Sequence, residues 1–165
     1  MYRRQLNCCW CNHPYPIWCP ASRFCSCSNE VVNPIDVSSF GFFRNTAVGT
    51  VGANAIIPLA IVQGGGAGIS ATGGGAIALA AGIYEVTYFA NGTIPASGTL
   101  SIKLRLNGVD VAGSVISDTQ TTGNVSSLTQ TVVITVSQAG IIELANNSTD
   151  EVTFTVGSLF VRRID

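Results

Sequence analysis

Charge is what this sequence has least of. Eight Lys and Arg and nine Asp and Glu make up 10% of its 165 residues, against about 25% in ordinary soluble domains. From Thr46 through Tyr84 no charged residue occurs. The net charge of -1 gives no electrostatic footprint for nucleic acid or an anionic membrane, so neither is expected as a partner. Histidine is nearly absent too: His13 is the single one, so a Ser-His-Asp arrangement would have to be built around it. The carboxylates Glu85, Asp110, Asp118, Glu143, Asp150 and Glu151 are scattered, without the paired spacing of acid/base work. "GGGAG" and "TGGG" lack the Lys and the strand-to-helix context of phosphate loops. These absences predict a protein that is not an enzyme and takes no cofactor.

Long apolar runs are missing as well. Ala55 to Val62 and Ala76 to Tyr84 are interrupted by Pro58 and Gly82 and fall short of the ~20 residues of a membrane helix. No apolar h-region follows Met1-Tyr-Arg-Arg, so no secretory signal is expected. The glycines show no Gly-X-Y period, which excludes collagen. Cysteine is absent after Cys27.

What is present from Ser39 onward is strand grammar. "GTLSIKLRLNG" places Leu100, Ile102, Leu104 and Leu106 on one face and Ser101, Lys103 and Arg105 on the other. Asn107-Gly108 is a hairpin signal, after which "VDVAGSVI" is expected to run back. "LTQTVVITVS" puts Val132, Ile134 and Val136 inward and Thr129, Thr131 and Thr135 outward, and Gln138-Ala139-Gly140 turns the chain. In the last strand Val152, Phe154 and Val156 keep one parity while Leu159 and Val161 take the other, which predicts a bulge or a bend between sheets at Gly157-Ser158. Strands recurring every 8–14 residues predict an all-β antiparallel jelly roll over residues 39–165. The uncharged half, "AIIPLAIVQGGGAGISATGGGAIALAAGIY", carries small and aliphatic residues where a sandwich would show outward charges. Strands apolar on both faces are covered on both faces, so oligomerisation is expected.

Residues 1–38 follow another grammar. They hold all six cysteines, both tryptophans and four of the six prolines, and read as an extended arm ending in the linker "VVNPIDVS". The spacing C-C-x-C-x7-C-x5-C-x-C contains one C-x2-C separation, Cys8 to Cys11, and no second C-x2-4-C pair to complete a site of the structural zinc type. Its two C-x-C pairs, Cys9/Cys11 and Cys25/Cys27, with His13 nearby, leave a soft-metal arm open. Intrachain disulfides are the ordinary expectation for an even count. Intermolecular bonding fits the layout better, because Cys8 and Cys9 on an extended strand face apart while Cys9 and Cys11 share a face. The matches to N-X-S/T at Asn91, Asn124, Asn146 and Asn147 are what a Ser/Thr-rich composition yields.

"AGIYEVTYFANG", "LSIKLRLNGVDVAGSVIS", "AGIIELANNS" and the terminal "GSLFVRRID" resemble the C-terminal domains of bacterial collagen-like exosporium glycoproteins (the BclA-like group). "FGFFRNTAVGTVGANAIIPL" and "GISATGGGAIAL" resemble that family's first strands. The match spans roughly residues 39–165. It implies a TNF-like antiparallel jelly roll forming a tight homotrimer on the endospore surface. It also implies that Phe40, Phe42, Tyr84, Tyr88, Phe160 and Ile164 serve the core or the trimer interface, without dividing them. The family's collagen-like stalk is replaced here by the Cys-rich arm, which is similar to the connectors of endospore appendage subunits. The combined resemblance implies a self-assembling structural subunit of an exosporium or appendage fibre. Its arm would dock on the next trimer through Trp10, Tyr15, Trp18 and Phe24, locked by disulfides from Cys8, Cys9, Cys11, Cys19, Cys25 and Cys27. Its partners would then be itself and other spore-coat or exosporium proteins. The alternatives are a trimeric adhesin or recognition tip anchored by its arm, and a metal-binding arm on a structural head.

Overall fold

The computed structural model describes residues 39–94, 96–121 and 123–165. Among these the chain forms β1 (Phe40–Asn45), β2 (Gly49–Val51), β3 (Ala60–Gly65), β4 (Ile69–Gly73), β5 (Ala76–Leu79) and β6 (Gly82–Thr93). Then follow β7 (Gly98–Leu106), β8 (Val109–Asp110), β9 (Ile116–Gln120), β10 (Ser126–Val136), β11 (Gly140–Asn146) and β12 (Val152–Arg163). One sheet runs β10-β6-β12-β1-β3, with β2 also on β12, and the other runs β4-β5-β11-β7-β8, with β9 also on β7. Every pairing is antiparallel. The chain changes sheets between β3 and β4, between β5 and β6, between β6 and β7, between β9 and β10, between β10 and β11, and between β11 and β12. That sequence of crossings makes a jelly roll rather than two separate meanders.

Period-two patterning builds the core. In β6 the residues Tyr84, Val86, Tyr88 and Ala90 are buried while Glu85, Thr87 and Phe89 are only partly so. In β10 Leu128, Ile134 and Val136 are buried, Val132 is partly buried, and Thr129, Thr131 and Thr135 are exposed, as the alternation predicted. The inward residues of both sheets, with Phe43, Ile57, Leu100, Ile102, Leu104, Leu144 and Phe154, close one apolar layer. The buried tyrosines bring their hydroxyls to partners, since an unpaired buried hydroxyl costs stability. Tyr84 donates to the Ala80 carbonyl at 3.0 Å. The Tyr88 hydroxyl lies 2.5 Å from the Ser114 carbonyl and 2.7 Å from Gln130 Oε1. Burial pushes the Tyr88 phenol up to about 12.

Two sequence expectations are corrected. The parity switch in β12 falls two residues before Gly157-Ser158, at a register shift between Phe154 and Val156 that leaves Thr155 unpaired. It is a bulge in a continuous strand, not a bend between sheets, and it turns Val156 to the outer face. Gly157 then faces inward, where a Cβ would stand 2.8 Å from Ile57 Cγ2. The strand returning from Asn107-Gly108 lasts only two residues, and pairing with β7 resumes at Ile116. The turn itself is of the hairpin kind, with φ of 53° at Asn107 and 77° at Gly108. Within the single chain the apolar segment Ala60–Gly65 stays open, since β3 is an edge strand with Ile61 and Val62 more than half exposed.

Candidate assembly interface

The two sheets treat their outer faces differently. On the sheet containing β7, the outward Ser101 and Lys103 are buried by the chain's own segments. Ser148 Oγ accepts from the Ser101 amide at 2.9 Å, and Asn147 donates to Ser101 Oγ at 3.0 Å. Lys103 Nζ reaches Asp110 Oδ2 at 2.8 Å, and Arg105 Nε reaches Asp110 Oδ1 at 3.3 Å. Arg105 also donates to the Asn54 carbonyl at 2.9 Å. The hydrogen bond from Lys103 is the first cause holding the Asp110 carboxyl below the usual range, with Arg105 adding to it.

The outer face of the other sheet has no such cover among the described residues, and the register of its ladders fixes what it presents. One row runs Gln63, Phe42, Phe160, Thr87 and Thr131 across β3, β1, β12, β6 and β10. The next toward the chain ends runs Phe40, Arg162, Glu85 and Val133, and the next the other way runs Ala60, Arg44, Ser158, Phe89 and Thr129. Phe40 and Phe160 stack with centroids 6.4 Å apart and an interplanar angle of 30°. Thr87 and Thr131 share a hydroxyl hydrogen bond of 2.8 Å. Arg162 Nη2 and Glu85 Oε2 form an ion pair at 2.8 Å. Val133 is 63% exposed and Ile83 38%. Ile164, whose amide donates to the Ile83 carbonyl, is 47% exposed.

The six aromatic and aliphatic residues left undivided by sequence are thereby divided. Tyr84 and Tyr88 are core residues with no exposed surface. Phe40, Phe42 and Phe160 lie on the outer face, and Ile164 extends it at the chain ends. Phe89, Val156, Ile83 and Val133 belong to the same face and were not singled out from sequence. The strict alternation of "GIYEVTYFANG" carried the signal for Phe89 and Ile83, because Tyr84, Val86 and Tyr88 inward require them outward. Val156 was hidden by the bulge. The cysteines Cys8, Cys9, Cys11, Cys19, Cys25 and Cys27, and Trp10, Tyr15, Trp18 and Phe24, lie outside the described residues.

Chain entry and exit are adjacent, since the Arg163 amide donates to the Ser39 carbonyl at 2.8 Å. At the opposite end a cavity of about 310 Å³ is lined by Thr93, Ile94, Glu151 and Thr153. It offers one carboxylate and two hydroxyls. The carboxylates named from sequence are not gathered: Glu85 pairs with Arg162, Asp110 with Lys103 and Arg105, and Asp118 accepts from Ser126. No group of three His, Cys, Asp or Glu that could hold a metal ion occurs among the described residues. No helix among them is long and apolar enough to cross a membrane.

No protein-family profile matches the chain, and no curated protein sequence does. Solved structures do match its fold. A crystal structure of murine APRIL is 14% identical with a TM-score of 0.59, over 77% of this chain and 99% of that one. The Eiger TNF of S. frugiperda is 11% identical with a TM-score of 0.58, over 78% and 93%. The globular domain of a zebrafish complement 1qA protein is 9% identical with a TM-score of 0.57, over 76% and 96%. The fold is therefore a TNF-like antiparallel jelly roll.

Proposed function

We propose that the chain is a non-catalytic, self-associating structural subunit whose jelly-roll head meets copies of itself through the outer face of the β10-β6-β12-β1-β3 sheet. The observation that carries this reading is the composition of that face. It presents Phe40, Phe42, Phe160, Phe89, Val156, Ile83, Val133 and Ile164 among threonines, with one internal ion pair and one further cation, Arg44. Five strands about 4.8 Å apart, with a longest strand of twelve residues, give a face of about 800–1,000 Å². One partner contributes about 800 Å² to an interface of standard size. A second copy is the occupant favoured, because beyond its internal ion pair the face carries a single charge, that of Arg44, and so does not call for a strongly charged partner. The resemblance to exosporium head domains implies that the assembly is a homotrimer.

The finer reading is a subunit of an endospore surface fibre or appendage. Trimers join head to tail through the Cys-rich arm, an open contact that propagates, and disulfides from Cys8 to Cys27 lock the joint. About 38 extended residues reach ~125–135 Å, enough to cross a neighbouring head. The single end at which residues 39–165 begin and finish the sandwich supports such polarity, since no terminus of the described residues lies at the opposite end. A trimeric recognition tip is the second reading. It is favoured by the exposed Val125, which lies beside β10's first residue at that opposite end.

Electron microscopy of the full chain with and without reductant, alongside a variant lacking the six cysteines, tests the finer reading. Fibres that shed uniform particles on heating only when reduced or Cys-free are expected. Discrete particles under every condition would favour the recognition tip, and bound zinc or copper in native mass spectrometry would favour a metal-binding arm.

A further inference from the structure

One row of the uncovered face differs from the rest. Phe40, Arg162, Glu85 and Val133 stand side by side, so an ion pair sits between an aromatic and an aliphatic residue. Its atoms are 2.8 Å apart, and the two side chains keep 48% and 32% of their exposure. The charged groups around it are few. β10 contributes Val133 and threonines, with no titratable group on this face. β1 contributes Arg44, which has no ion-pair partner among the described residues. At the end of β12, Arg163 pairs with Asp165 just beyond the strand at 2.7 Å. Glu85 is thus the one carboxylate on the strands of this face among the described residues, set against two guanidiniums.

We propose that the Glu85–Arg162 pair is the charge lock of the copy-to-copy contact. It cancels the charge that this row would otherwise carry into an apolar interface, so that association depends on the pair being intact. The inference rests on the self-association reading above. A pair that enters an interface already joined brings its countercharge with it, whereas removing one member leaves the other covered and uncompensated. Rotational symmetry multiplies the effect, because the same row of every copy surrounds the axis and a lone charge is repeated in each. Arg44 adds to the imbalance: without Glu85 each face carries two positive charges and no negative one. The pair therefore determines which surfaces associate, while Phe42, Phe160 and their neighbours provide the apolar area.

The test is sedimentation velocity of the full chain under reducing conditions at neutral pH, with circular dichroism to establish that each variant keeps its strands. Glu85→Gln is expected to weaken association by about thirtyfold or more, and Glu85→Arg to abolish it, both without loss of strand signal. The double variant Glu85→Arg/Arg162→Glu, which keeps a pair with its members exchanged, is expected to restore association. The double variant Glu85→Gln/Arg162→Gln, which removes both charges, is expected to associate as well. A Glu85→Gln variant that associates as tightly as the unmodified chain would overturn the inference and leave the self-association reading standing. So would an exchanged pair that is folded yet no better than Glu85→Arg. An unmodified chain that sediments as single copies at every concentration would overturn both.

Discussion

The outer faces of the two sheets start from the same strand alternation and end in opposite chemistry. The face built on β7 and β11 keeps charge, and the chain covers that charge itself: Lys103 is buried against Asp110, and Ser101 is bonded to Asn147 and Ser148. The face built on β6 and β12 is covered by nothing among the described residues, yet it gathers Phe40, Phe42, Phe89 and Phe160 around a single ion pair and Arg44. A face that its own loops close can hold polar groups, because the loops supply the partners that buried polar groups need. A large aromatic and aliphatic face left open marks an interaction surface. The difference lies in which face the loops between strands return to.

The comparison breaks most sharply where a charge is placed on either face. Phe160→Glu is expected to weaken association by about a hundredfold or more, measured by light scattering on a sizing column. Ile141→Glu, on the other sheet and 40% exposed, should leave the assembled mass unchanged. The core shared by the two sheets responds in stability instead. Phe154, 1% exposed, should cost about 3–5 kcal/mol on replacement by alanine, read from urea unfolding.

Gly157→Ala sharpens the account of the bulge. The added methyl would meet Ile57 Cγ2 at 2.8 Å and Leu59 Cδ2 at 3.2 Å, which costs about 1–3 kcal/mol of overpacking. The covered face should respond in acid. Asp110, held below the usual carboxylate range by Lys103 and then Arg105, contributes stability that is present above the unfolded value of 3.8 and lost as pH falls through the lower folded value. Asp110→Asn should flatten that acid limb in thermal melts against pH. At the alkaline end the sign reverses in pH. Tyr88 is raised from 10.0 to about 12, so its contribution is full below pH 10 and fades as pH climbs toward 12. Tyr88→Phe should remove that step and give up the hydroxyl contacts to Ser114 and Gln130.

Much of this was legible from residues alone. Alternation in Leu100–Leu106 and Leu128–Val136 sorted inside from outside because each strand has one face in the core, and a slip of one residue would exchange the two. Asn107-Gly108 announced its hairpin because both residues must take positive φ. The bulge was seen as a parity fault but placed two residues late, since Thr155, Val156 and Gly157 each fit either side of the break. What local pattern could not give was the difference between the two outer faces. Lys103 reads as an ordinary outward lysine until Asp110 and the loop after β11 fold over the same sheet. Phe160 and Tyr84 both read as aromatic residues of strands, and their division needed the burial of their neighbours, Leu159 and Val161 beside the one and Val86 beside the other. Of the candidate interface, Phe40, Phe42, Phe160 and Ile164 could be named from the family resemblance. Their assembly into one face with Phe89 and Val133 needed the sheet order, which depends on contacts far apart in sequence.

The central claim is that the open face binds copies of the same chain, and the mass of the reduced protein in solution tests it most directly. Sedimentation equilibrium of the full chain with its thiols kept reduced removes any contribution from disulfides. The account predicts three times the chain mass of 17.1 kDa and a fall to a single chain mass in Phe160→Glu. A mass of one chain for the unmodified protein, unchanged up to the highest concentration reached, would contradict it.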